Sequence, residues 1–156
     1  ARRQRSHRGL CRGALARARF FLDKAKACAP DDCVDFEAFL EASIVFARAA
    51  VHRLKTKYER NPRWQDVWGA WLNQPAIQFF RDERDLILKE APPKLSQKLF
   101  AGFFDSSGSS TPAFIPSSAS AFYYFDNPDT PATVTVEAHL ASLATLLAEA
   151  EQAFKP

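Results

Sequence analysis

The chain has 156 residues, 47% of them hydrophobic, with 14 Phe and a formal charge of +3. That supplies one domain with a core of its own and excludes disorder as the state of most of the chain. No run of about 18 apolar residues occurs, which argues against a membrane-spanning helix, and the N-terminal stretch lacks the apolar segment of a signal peptide.

The charge is unevenly placed. Residues 1–12, "ARRQRSHRGLCR", hold five Arg and no acid, and the remaining 16 basic and 18 acidic residues sum to −2. The body is therefore not a basic nucleic-acid binder by composition. Residues 1–12 are expected to be a disordered basic tail, or a stretch foreign to the native domain, ahead of a single domain over 13–156. Such a tail has the charge to meet phosphates. Cys11, Cys28 and Cys33 make an odd count, and only three His are present. With no secretory signal, this points to reduced thiols in a cytoplasm. Neither CxxC nor HxxxH spacing occurs, which argues against a zinc site, and no cofactor motif appears.

"GALARARFFLDKAKAC" predicts a first helix over about residues 13–29, with Leu15, Ala18, Phe21, Leu22 and Ala25 at helical spacing. Pro30 ends it. Asp31 or Asp32 is placed to cap the next helix, and Asp35 falls in its first turn. That helix, over about 32–60, carries Phe36, Leu40, Ile44, Ala47, Val51, Leu54 and Tyr58 on one stripe. At about 1.5 Å per residue it is about 40 Å long. Asn61 and Pro62 break it and open a short aromatic helix with Trp64, Val67, Trp68, Trp71 and Leu72. Its three Trp suit base stacking or a partner surface, and at helical spacing they suit a core equally well.

A third main helix is expected over about 75–90, from Pro75 to the break at "APPK". "KLSQKLFAGFF" reads as a short helical segment, and the Ser/Pro-rich stretch at about 105–120 as a loop. "AFYYF" (121–125) and "ATVTV" (132–136) read as the two strands of a hairpin around "DNPDTP". The last helix, from about 137, places Leu140, Leu143, Leu147, Ala150 and Phe154 on one side. The expected architecture is mainly all-α: an antiparallel four-helix bundle with a small β-hairpin before the last helix.

One residue breaks the pattern. On the helix over 75–90, with Ile77 at zero and about 100° per residue, Phe80 lies at about 300°, Ile87 at about 280° and Leu88 at about 20°. Arg84 lies at about 340°, inside that apolar arc. An unpaired buried guanidinium costs several kcal/mol and does not neutralise. Arg84 is thus expected either to pack its stem while its head reaches water or an acid, or to line a cleft where it binds an anion. Asp85 and Lys89 are spaced as an ordinary surface ion pair.

The string "FFRDERDLILKEAP", together with "EAFLEASIVFARAAVHRL" and the tail "YYFDNPDTPATVTVEAHLASLATLLAEAEQAF", resembles small bacterial members of the HEPN superfamily over about residues 14–154. That resemblance implies a helical bundle, a homodimer and an Arg–polar–His motif. Arg84 matches the motif arginine and Asp85 the polar position. The histidine would fall at 88–90, which read Leu, Lys and Glu. Active members are metal-independent ribonucleases of toxin–antitoxin or defence type. The resemblance thus points to Arg84, Asp85 and Lys89 as the residues of a catalytic centre. It points to Arg81, Arg84, His52 and His139 for binding, and to RNA as the ligand. Lys89 is a poor acid–base group near neutral pH. The missing histidine therefore favours a non-catalytic protein that works by dimerisation or by binding a ligand such as RNA, over the alternative of an endoribonuclease.

Overall fold

The computed structural model describes residues 8–29, 31–89, 95–97 and 122–154. Among these the chain forms five helices and three short strands. The helices are α1 (Arg8–Ala27), α2 (Cys33–Tyr58), α3 (Trp64–Trp71), α4 (Pro75–Leu88) and α5 (Ala132–Ala153). The strands are β1 (Leu95–Gln97), β2 (Phe122–Tyr124) and β3 (Asn127–Pro131). The boundary expected at residue 13 falls inside α1, which begins at Arg8. The Ser/Pro-rich loop at about 105–120 lies outside the described residues.

The stripes form as their spacing requires. Phe36, Leu40, Ile44, Ala47, Val51 and Leu54 of α2 are buried, as are Leu140, Leu143, Leu147 and Ala150 of α5. Both helices turn one side to a shared core. The fit of α1 to α2 depends on small residues: Ala14, Ala18 and Ala25 on one helix and Ala47 and Ala50 on the other are fully buried. With no bulk between them the backbones approach closely. The buried Ser43 hydroxyl of α2 donates to the Ala18 carbonyl of α1 at 2.7 Å. Asp32 stands at the N-cap of α2 but makes no side-chain capping bond, so the capping expected of Asp31 or Asp32 is not made by Asp32. Asn61 acts locally instead, its side-chain oxygen accepting the Arg63 backbone N–H at 3.0 Å.

The aromatic helix is mostly core. Trp64 and Trp71 are buried, and Trp68 stacks on Trp64 at 5.2 Å. Phe154, just past α5, stacks on Tyr58 at 4.8 Å and lies 5.7 Å from Trp64, which closes this end of the molecule.

The sheet differs from expectation in two places. "ATVTV" is not a strand but the first turn of α5, and the second hairpin strand is Asn127–Pro131, within the segment read as a turn. Pro131 takes the N-cap position at φ −55°, ψ 142°, and burial of Ala132, Thr133 and Val136 at helical spacing overrides their β-branched preference. Pro128 and Pro131 lack N–H donors and are tolerated because β3 is an edge strand. The second change is at Leu95–Gln97, read as helical, which pairs antiparallel with Phe122–Tyr124 and makes a three-stranded sheet in the order β1–β2–β3. Phe122 stacks on Phe36 at 4.2 Å, and Tyr124 meets Phe79 edge-on at 5.9 Å, so the sheet rests on α2 and α4. Among the described residues no helix is long and apolar enough to cross a membrane.

Candidate functional site

Helix α4 starts cleanly, with extended Gln74 at its N-cap and Pro75 at its first position. Ala76, Ile77 and Phe80 anchor it in the core. Arg84 continues that stripe one turn after Phe80, on the half-buried last turns of α4. Its head is neither sunk nor unpartnered: the side chain is 43% exposed, and Nη1 donates to Asp85 Oδ1 at 2.9 Å. Arg81, one turn from Arg84 along the same flank, donates from Nε to Asp82 Oδ1 at 2.8 Å. Asp85 is therefore engaged by its neighbour Arg84, in place of the surface pair expected with Lys89. An exposed pair of this kind contributes about 0–1 kcal/mol, so an incoming anion displaces it at small cost.

The sequence reading missed a third arginine. Arg48 of α2 is half-buried against α4. Its pKa is pushed down, first by burial, then by repulsion from Arg84 and, to a smaller degree, Arg81, with Asp85 opposing. Arg48 thus lies close enough to Arg84, Arg81 and Asp85 of α4 for their charges to act on it. Its trace in the sequence is weak: it lies one turn after Ile44 at the margin of the α2 stripe, a spacing that solvated helix residues share. Exposed His52 is one further turn along α2, on the Arg48 flank.

The other candidates lie elsewhere. His139 of α5 stacks on Phe79, rings 4.2 Å apart and 17° from parallel, with Phe80 edge-on at 6.2 Å. Phe79 precedes Arg84 by five residues, about 7.5 Å along the axis and about 140° around it. His139 thus packs at Phe79 and Phe80, on the turn of α4 that precedes Arg84. Burial lowers its pKa, which favours the neutral ring. Near it the Tyr124 hydroxyl is buried with no hydrogen-bond partner. Burial, then the charges of Glu83 and Asp126, raises its pKa. Lys89 is exposed at the C-cap of α4. The structure therefore brings together Arg48, Arg81, Arg84 and Asp85, and leaves His139 apart.

Among the described residues no group of three or more His, Cys, Asp or Glu is placed to hold a metal ion. Cys28 and Cys33 are free thiols, and burial raises the pKa of Cys28. A groove of about 300 Å³ runs between α1 and α5 over Leu15, Ala144 and Leu147, with no lining from α4. What the arginine cluster can do is hold an anion: its donors are planar, permanently charged and matched to phosphate or carboxylate oxygens. Comparison with models of protein families, with curated proteins and with solved structures finds no match for this chain.

Proposed function

We propose that this chain is a HEPN-like helical-bundle protein that acts by binding RNA rather than cutting it, with Arg48, Arg81 and Arg84 as the phosphate-contacting residues. In this reading the four long helices form the antiparallel bundle, the molecule is a homodimer, and it works in a bacterial cytoplasm, in a defence or toxin–antitoxin setting. The observation that carries it is Arg48, half-buried on α2 where α2 packs on α4, near enough to Arg84 and Arg81 for their charges to act on it. Like charges held together repel, and a bound phosphate relieves that repulsion while displacing only weak surface pairs. No histidine shares the Arg84 face of α4 at the motif spacing, which favours binding over general acid–base cleavage.

Titration of labelled RNA in EDTA tests it. Expected is binding that weakens with salt and no cleavage, with Arg84→Ala and Arg48→Ala each weakening binding about three- to tenfold and lowering the salt slope by about one. Removing residues 1–7 separates any contribution of Arg2, Arg3 and Arg5. Absence of binding at low salt overturns the proposal. Cleavage that disappears in Arg84→Ala replaces it with the metal-independent endoribonuclease, in which Lys89, His52 or His139 would supply the missing group.

A further inference from the structure

One side of the α1–α2 pair, at the margin of the core, carries four aromatic rings. Arg17, Phe20, Phe21 and Lys24 share one face of α1, and Asp35, Phe39, Phe46 and Arg53 one face of α2. Phe21 lies between Phe39 and Phe46, at 6.3 Å and 5.5 Å, with its ring 26° and 3° from parallel to theirs. Phe20 meets Phe21 edge-on at 5.3 Å and is 54% exposed. The other three rings are half-buried. A contiguous apolar patch at a protein surface is a place where a partner can dock.

The charges around the patch are polarised along it. At the open end the Arg17 guanidinium lies 5.6 Å above the Phe46 ring, and Arg53 follows Phe46 by two turns on α2. At the turn between the helices stand exposed Asp31, Asp32 and Asp35. Asp32 and Asp35 are close enough to Cys28, near the end of α1, for their charges to act on its thiol after burial. Lys24, over Phe20 at 5.4 Å, lies three residues from Phe21 toward the acidic turn. A nucleic-acid backbone laid along this face would meet three carboxylates at one end. A second copy turned by a two-fold axis near Phe21 brings the acidic turn of each copy over the Arg17 end of the other, and an isologous contact needs that self-complementarity.

We infer that the Phe20–Phe21–Phe39–Phe46 face is the interface with a second copy of this chain, packed antiparallel so that Asp35 of each copy meets Arg17 of the other. Asp35 lies seven residues from Ala42, about 10 Å from the middle of the patch along α2. Arg17 lies four residues from Phe21, about 6 Å from the middle in the other direction, and its long side chain covers the difference. The inference rests on the homodimer in the proposed function and is independent of RNA binding. This face carries neither Arg81 nor Arg84.

Sedimentation and light scattering between about 1 and 100 μM decide it. The full chain is expected to be a dimer. Phe20→Asp, at an exposed site, should raise the dimer dissociation constant about a hundredfold with an unchanged circular dichroism spectrum. Arg17→Glu and Asp35→Arg should each raise it about tenfold, and the double variant should recover most of the loss. A monomer at every concentration overturns the inference, as does a dimer indifferent to Phe20→Asp. A double variant no tighter than either single one overturns the antiparallel pairing. Loss of RNA binding in Phe20→Asp with assembly unchanged makes the face a nucleic-acid platform instead. RNA binding measured on the same variants stands or falls separately, through Arg84→Ala.

Discussion

Stacked on Phe79, the His139 imidazole sits where a proton is costly. Burial holds its pKa below the unfolded value of about 6.5, so the unfolded chain binds the extra proton first. The sign follows: the stability tied to neutral His139 is complete above about pH 6.5 and is lost as pH falls from there through the lower folded value. Thermal unfolding at pH 7.5 and 5.5 should show a drop for the natural chain that shrinks in His139→Phe, which keeps the stack but cannot titrate. An equal drop in both would mean that other groups carry the pH dependence. Glu41 works in the opposite direction. Its carboxyl pKa is raised by burial and by Glu37, so its contribution favours the folded chain at low pH. At this same scale Arg84 was legible in the sequence, because a cation in a four-residue apolar arc is conspicuous on a helical wheel. Arg48 was not, because an arginine at a stripe margin has the spacing of any solvated helix residue. Its meaning comes only from what α4 brings beside it.

Between elements the decisive contact is α1 on α2, and it depends on what is missing from the side chains. Ala18 has no exposure and lies where the Ser43 hydroxyl reaches its carbonyl. The three added carbons have nowhere to go there, so Ala18→Leu should cost about 2–3 kcal/mol in urea unfolding. Ala16→Leu, two residues earlier on the exposed side, should be near neutral. Similar costs at both positions would show that the close approach of the helices is not what limits size. The four long helices were legible because each repeats its apolar residues at the helical period for three or more turns. The strands were not. Three-residue β1 has no pattern of its own and exists through pairing with β2 across 24 intervening residues, from Gln97 to Phe122. The Val and Thr of "ATVTV" point to strand by propensity, but the burial offered by the neighbouring helices decides for α5.

Across the whole molecule, the first and last helices, α1 and α5, pack directly on each other. Lys26 of α1 meets Glu137 of α5 at 2.7 Å, an exposed pair of small energetic weight. Phe154 carries more, since it joins the end of α5 to Tyr58 of α2 and Trp64 of α3. Phe154→Ala should lower stability by about 3 kcal/mol, because the cavity opens among large rings that cannot collapse into it. A loss under about 1 kcal/mol in chemical denaturation would show that this end closes without the clasp. The grouping of rings here has an optical consequence. All three tryptophans of the chain lie in the eight residues of α3. Intrinsic fluorescence will therefore watch one end of the molecule. The 5.2 Å indole pair, Trp64 with Trp68, will couple its transitions and give the near-ultraviolet dichroism of that end a signature of its own. Fraying at Phe154 would dim this signal while far-ultraviolet helicity stays nearly constant, so two spectra of one sample separate local opening from global unfolding.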